Sequence, residues 1–173
     1  MEGCQRCIMF DGGVSGARFS EDRIYRYKLW RMWDPAKDSV VFVGLNPSTA
    51  DENVDDPTVR RCIGYAKDWG YGSIFMLNIF AFRATDPREM KLSEDPVGAM
   101  NDSFLVEASK GSGLVVGCWG AHGGHLGRGR AVLEMMRENG IRVHCLGLTK
   151  AGHPKHPLYL RKDLVPVLMN GEG

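Results

Sequence analysis

Apolar residues fall in short runs along the middle of this chain, separated by polar loops rich in glycine and proline. "SVVFVGL" (39–45), "SIFMLNIF" (73–80), "GLVVGCWG" (113–120) and "IRVHCLGL" (141–148) are nearly continuous apolar runs of strand length. A strand covered on one face alternates apolar and polar residues, whereas one covered on both faces reads as an unbroken run. Buried strands are expected at all four. Between them the spacing becomes helical. "DPTVRRCIGYAKDWG" (56–70) predicts a helix with Asp56 as N-cap, Pro57 as first residue and Gly70 as its stop. "PVGAMNDSFLVEASK" (96–110) and "GRGRAVLEMMREN" (127–139) predict two more, the latter closed by Gly140. "LYLRKDLVPVLM" (158–169) predicts a closing helix, with Pro166 as a break. "RIYRYKLWRMW" (23–33) mixes aromatics with cations and suits either an edge strand or a helix. The Gly-rich residues 1–22 are expected to be a flexible segment ahead of a single α/β domain over 23–173.

Strand and helix alternate, which predicts a three-layer sandwich: a central four-stranded parallel sheet with helices on both faces. In such sheets ligands bind outside the carboxyl ends of the strands. The loops after the four strands are "NPSTADENVDD", "NIFAFRATDPRE", "WGAHGGHLGRG" and "TKAGHPKHP". They are the expected walls of a site.

Composition narrows the class. The 173 residues suit one domain, and 43% apolar with 25% charged is ordinary globular composition. A formal net charge of +1 argues against a broad basic coat for nucleic acid, while leaving room for local patches. The start, "MEGCQRCIMF", lacks a signal-peptide run, and no apolar stretch reaches membrane-spanning length. Five cysteines do not make a secreted disulfide scaffold, so a soluble cytoplasmic protein with reduced thiols is expected. Cys4 and Cys7 form a C-x2-C pair, but a closed metal site needs two further ligands, and no metal or other cofactor is expected.

The loops offer specific chemistry. Asn46 can orient a water through its carbonyl but cannot remove a proton, a task for Asp51 or Asp55 nearby. Asp56 reads as a helix cap. Asn78, at a strand end, can read an amide-bearing ring by paired hydrogen bonds. Ser48, Arg83, Arg88, Arg128, Lys150 and Lys155 can hold phosphates. The helix start near Arg128 offers backbone N–H groups to an anion. Trp119 is either a core aromatic or a wall for a base. His153 and His156 sit in stiff His-Pro units, where an imidazole can donate to charge developing on a leaving group.

The segments "YRYKLWRMW", "LNPSTADENVDDPTVRRC", "NIFAFRATDP", "DPVGAMND", "WGAHG" and "GHPKHPLYL" occur in an order that resembles the bacterial and phage domain of unknown function 1643, over about residues 24 to 160. More distantly, "GLNPS" (44–48), "LNIFAFRATDP" (77–87) and "GHPKHPL" (152–158) resemble motifs of the uracil-DNA glycosylase superfamily. That resemblance implies the superfamily's parallel three-layer fold. It implies Asn46 as the residue that positions water, Asn78 as base reader, and His156 or His153 as the contact to the leaving base. Phe82 stands where the iron–sulfur branch has a cysteine, so no cluster is implied.

The expected activity is N-glycosidic bond hydrolysis on a uracil-like or modified base in DNA. Asn46, Asp51, Asp55 and His156 would act in catalysis, and Asn78, Trp119 and His153 would hold the base. The expected partner is DNA or a nucleotide carrying such a base, met by a monomer without a membrane. Two alternatives stay open: a nucleotide-level or base-modification enzyme on the same scaffold, and a non-catalytic module that binds a modified nucleotide.

Overall fold

The computed structural model describes residues 14–169. Its centre is one seven-stranded mixed sheet, in the order β1-β2-β4-β3-β5-β6-β7. The strands are β1 (Ser15–Phe19), β2 (Arg26–Met32), β3 (Ser39–Gly44), β4 (Ser73–Asn78), β5 (Leu114–Gly117), β6 (His144–Cys145) and β7 (Val167–Leu168). β3 pairs in parallel with β4 and β5, and β5 with β6. β1 with β2, β2 with β4, and β6 with β7 are antiparallel.

This corrects the expected four-stranded parallel sheet. The antiparallel strands were hidden for a physical reason. β2 is buried along most of its length yet carries Arg26, Lys28 and Arg31, so it lacks the apolar run that marks a covered strand. It lies between β1 and β4 and is not an edge. β1 lies within the segment expected to be flexible. Gly16 admits it there, because a Cβ at that position would stand 2.2 Å from the Trp30 ring. The run 141–148 shrinks to the two residues of β6, since the chain bends away at Gly147 with φ +131°.

Among the described residues four α-helices pack on the sheet: α1 (Pro57–Asp68), α2 (Pro87–Leu92), α3 (Asn101–Lys110) and α4 (Arg128–Glu138). α1 starts as expected, with Asp56 accepting from the Val59 amide and Pro57 in the first turn. Val59, Cys62 and Tyr65 of α1 join Val40, Phe42 and Ile74 in one core. Leu105 of α3 and Val132 and Met136 of α4 join Val41, Phe75 and Leu77 in the other. Alternate residues of β3 and β4 thus feed opposite cores. Each fully buried side chain of this size contributes about 1.5–3 kcal/mol.

The closing helix expected over 158–169 is absent. Pro157 and Pro166 bracket the stretch, and Tyr159 holds φ +67°. Its carbonyls are used elsewhere: Arg161 O accepts from Tyr65 Oη at 2.6 Å and Leu164 O from Trp69 Nε1 at 3.0 Å. The segment is laced to α1 as irregular chain and ends in β7. Among the described residues no helix is long and apolar enough to cross a membrane.

Candidate functional site

The chain runs from β3 to β4 on one side, then crosses back to β5 on the other. That reversal opens a crevice at the carboxyl ends of β3, β4 and β5. A cavity of about 390 Å³ occupies it, at the small end of ligand pockets and suited to a single nucleoside-sized group. Asn46 and Ser48 after β3, Asn78 at the end of β4, Trp119 after β5 and His156 all line it. So do Arg26 and Asp56.

The two asparagines have fixed amide orientations. Asn46 Nδ2 donates to Pro47 O at 3.1 Å and to Ala84 O at 2.8 Å. Carbonyls accept only, so the amide cannot be flipped, and Oδ1 remains for the cavity. Asn78 has the opposite setting. Arg26 Nη2 donates to Asn78 Oδ1 at 3.3 Å. A guanidinium has no acceptor, so Nδ2 is the face left for a ligand. Gly44 leaves room for it, since a Cβ there would stand 3.0 Å from Asn78 Nδ2. The strand end behind is secured by side chains. Asn101 Nδ2 donates to Asn78 O at 2.8 Å, and Arg128 Nε to Ile79 O at 2.8 Å.

Arg26 is 3% exposed. Its Nη1 donates to Ala50 O at 3.2 Å, and its Nε has no partner among the described residues. Burial pulls its pKa down to about 10, with the Asp56 charge opposing the shift, so it stays cationic at neutral pH. Asp56 spends Oδ1 on the Val59 amide at 2.9 Å. Its charge is the carboxylate of this cavity.

His156 keeps over a third of its surface exposed but packs beside Gly120, where a Cβ would meet its own at 3.8 Å. The Leu158 amide donates to His156 Nδ1 at 3.3 Å. The neutral ring therefore carries its proton on Nε2. Burial lowers its pKa below the ordinary value, and the Asp56 charge works in the other direction. The loop that bears it is pinned to the sheet, with Gly120 N donating to Pro154 O at 2.8 Å and Lys155 N to Gly147 O at 2.9 Å.

Several expected site residues lie elsewhere. Asp51 accepts from the Asn53 and Val54 amides, which hold its carboxyl below the usual range. Asp55 pairs with Arg31 at 2.8 Å. Both fold the loop and neither lines the cavity. Arg83 donates to Arg23 O and lies over the Phe19 ring. Arg88 pairs with Asp86 at the start of α2. Arg128 turns inward to Ile79 O and Asp102, so it ties loop to helix rather than facing an anion. His153 lies against Gly124, while Lys150 and Lys155 are exposed away from the cavity walls. Trp119 does line the cavity, but it is 2% exposed and packs into a core. A Cβ on Gly123 would stand 2.0 Å from Trp119 Cδ1 and one on Gly129 2.8 Å from Nε1, so these glycines make room for the ring.

Arg26 was not singled out because 23–33 suited either an edge strand or a helix, whereas Arg26–Met32 is an internal strand; a cation inside a covered strand was the signal. Asp56 was read as a cap, and it is both a cap and a cavity wall. Cys4 and Cys7 lie outside the described residues. Among the described residues no group of three or more His, Cys, Asp or Glu side chains is arranged to hold a metal.

A family model described as a protein of unknown function (DUF1643) matches residues 26–158. The match begins at Arg26 and ends at Leu158, both of which line the cavity. No curated protein and no solved structure matches the chain.

Proposed function

The chain belongs to the DUF1643 family, and from its cleft we propose that it hydrolyses the N-glycosidic bond of a uracil-like or modified base in DNA. One observation carries the reading: an amide acceptor, an amide donor, a buried cation and a protonated imidazole nitrogen converge on one nucleoside-sized cavity. Glycosidic cleavage develops a cationic sugar and an anionic base. Asn46 Oδ1 orients the attacking water. Asn78 Nδ2 donates to an acceptor on the base. Arg26 lies behind that amide and stabilises the leaving anion through it, and His156 Nε2–H donates to the same charge. Asp56 supplies negative charge for the sugar. The motif likeness of "GLNPS" and "GHPKHPL" to the uracil-DNA glycosylase superfamily supports these roles. A base in duplex DNA would have to be flipped out to enter.

The test is a panel of oligonucleotides carrying modified bases, with released bases identified by mass spectrometry. Asn46→Ala is expected to slow single-turnover cleavage about a hundredfold while leaving affinity nearly intact. Release of no base from any member, or unchanged cleavage in both Asn46→Ala and His156→Ala, refutes the reading. The near-neutral net charge of +1 favours a second reading, a nucleotide-level enzyme using the same cleft. Cleavage of free nucleotides alone would select it.

A further inference from the structure

Leu158 lines the cleft and also a second, larger groove of about 850 Å³ that runs along α1. Arg60, Arg61 and Lys162 line this groove against one carboxylate, Asp68. The positive excess is local, because the whole chain carries only +1. Among the described residues none of the three cations is ion-paired, whereas Arg88, Arg137 and Arg161 each hold a carboxylate. Arg61 lies over the Tyr65 ring at 5.3 Å, and its buried Nε has no partner among the described residues. Gly64 keeps the floor bare: nothing lies within 4 Å of a Cβ placed there. At the rim Tyr159 is 100% exposed and holds φ +67°. That backbone is unfavourable for a bulky residue, and a fully exposed ring gains no burial to offset it.

We propose that this groove binds single-stranded nucleic acid flanking the nucleotide held in the cleft. Arg60, Arg61 and Lys162 follow the phosphates, and Tyr159 stacks on a neighbouring base. An exposed ring offers a stacking face to a base that has left its own partner, and a cationic groove beside aromatic platforms is how single strands are held. A formal net charge of +1 argues against the broad basic coat that would favour a duplex. The inference rests on the glycosidic reading only for what occupies the cleft.

The experiment is fluorescence anisotropy with a labelled oligothymidylate of about twelve nucleotides, titrated at several salt concentrations. Replacing Arg60, Arg61 and Lys162 together by Gln is expected to flatten the log–log salt slope by about 2, three phosphate contacts at about 0.7 each. Tyr159→Ala is expected to weaken binding about tenfold, and Tyr159→Phe to restore it. Arg60, Tyr159 and Lys162 are exposed and Arg61 is half-buried, and a melting curve establishes that the variants fold. An unchanged slope in the triple variant overturns the proposal. So does equal affinity for a duplex of the same length, or equally effective competition by polyglutamate. Base release is followed in parallel. Groove-dependent binding with no base released refutes the hydrolase and leaves the groove standing. Base release indifferent to the groove variants does the reverse.

Discussion

The ends of β3 and β4 are neighbours in register, Gly44 opposite Asn78, and each delivers an asparagine to the same cleft. The two amides face it with opposite polarity. Asn46 gives up its nitrogen to two carbonyls and presents oxygen; Asn78 gives up its oxygen to Arg26 and presents nitrogen. The residue type does not decide which. The neighbours do: backbone acceptors beside β3, and a side-chain donor from β2 beside β4. An asparagine at a strand end is therefore an uncommitted group that the surrounding fold turns into an acceptor or a donor.

The largest effect is expected from removing the group that sets the β4 side. Arg26→Met leaves Asn78 Oδ1 and Ala50 O without their donor, and the amide becomes free to flip. Unmet buried acceptors cost about 1–3 kcal/mol each. Affinity for the substrate found by the oligonucleotide panel should fall by about a hundredfold or more in calorimetric titration. Arg26→Lys should recover only part of it, since an ammonium lacks the planar fork. An unaltered affinity in Arg26→Met would show that Asn78 holds its orientation unaided.

Swapping the polarity of each amide sharpens the contrast. Asn78→Asp turns Nδ2 into an oxygen beside Arg26, a pair the fold accommodates, so melting should hold while affinity drops about tenfold to a hundredfold. Asn46→Asp sets an oxygen against Pro47 O and Ala84 O. It should cost stability, about 1–3 kcal/mol, visible in chemical denaturation. The same conservative change should thus damage binding at one strand end and folding at the other. Equal effects at both ends would dissolve the distinction.

Gly44→Ala is a gentler intrusion. Its methyl would sit 3.0 Å from Asn78 Nδ2 and push the amide aside by a few tenths of an ångström. Affinity should fall about tenfold or less, with little change in melting.

The smallest effect is the contribution of His156 to the pH dependence of stability. Its folded pKa is lowered by burial, so the folded state binds this proton less readily than the unfolded chain. Its contribution to stability is present above the unfolded value near 6.5 and is lost as pH falls through that value toward the folded one. With over a third of the residue exposed, the loss is small. Melting at about pH 7.5 and about pH 5.5 should differ slightly more in the wild type than in His156→Gln. An identical difference would assign the acid sensitivity to other groups.

What could be read in advance follows physical lines. β3, β4 and β5 announce themselves because both faces are covered, and α1 because its cap and first proline are local signals. β2 did not, because its cations meet partners contributed by distant segments. Arg31 finds Asp55, and Arg26 finds Asn78, 52 positions away. The closing helix failed because its carbonyls answer Tyr65 and Trp69 rather than its own amides. Asn46, Asn78 and His156 were legible as cleft residues from strand ends and loop stiffness. The choice between Asp51, Asp55 and Asp56 was not. Three aspartates within six positions look alike until the loop folds, and two of them are then consumed by it.

β2 has a further consequence, for the order in which the molecule becomes competent. The cleft's cation arrives on the arm formed by β1 and β2, which docks antiparallel on β4 from outside the parallel strands. Without that arm Asn78 would have no donor to fix its orientation and the crevice would lack its cation. The site is thus complete only with the long-range pairing of β2 on β4. A ligand of this cleft would hold the arm shut by mass action. The amides of Leu29–Met32 in β2, opposite Ser73–Met76 of β4, should then exchange with solvent more slowly in its presence, while those of the β3–β5 pairing, far from the arm, should change least.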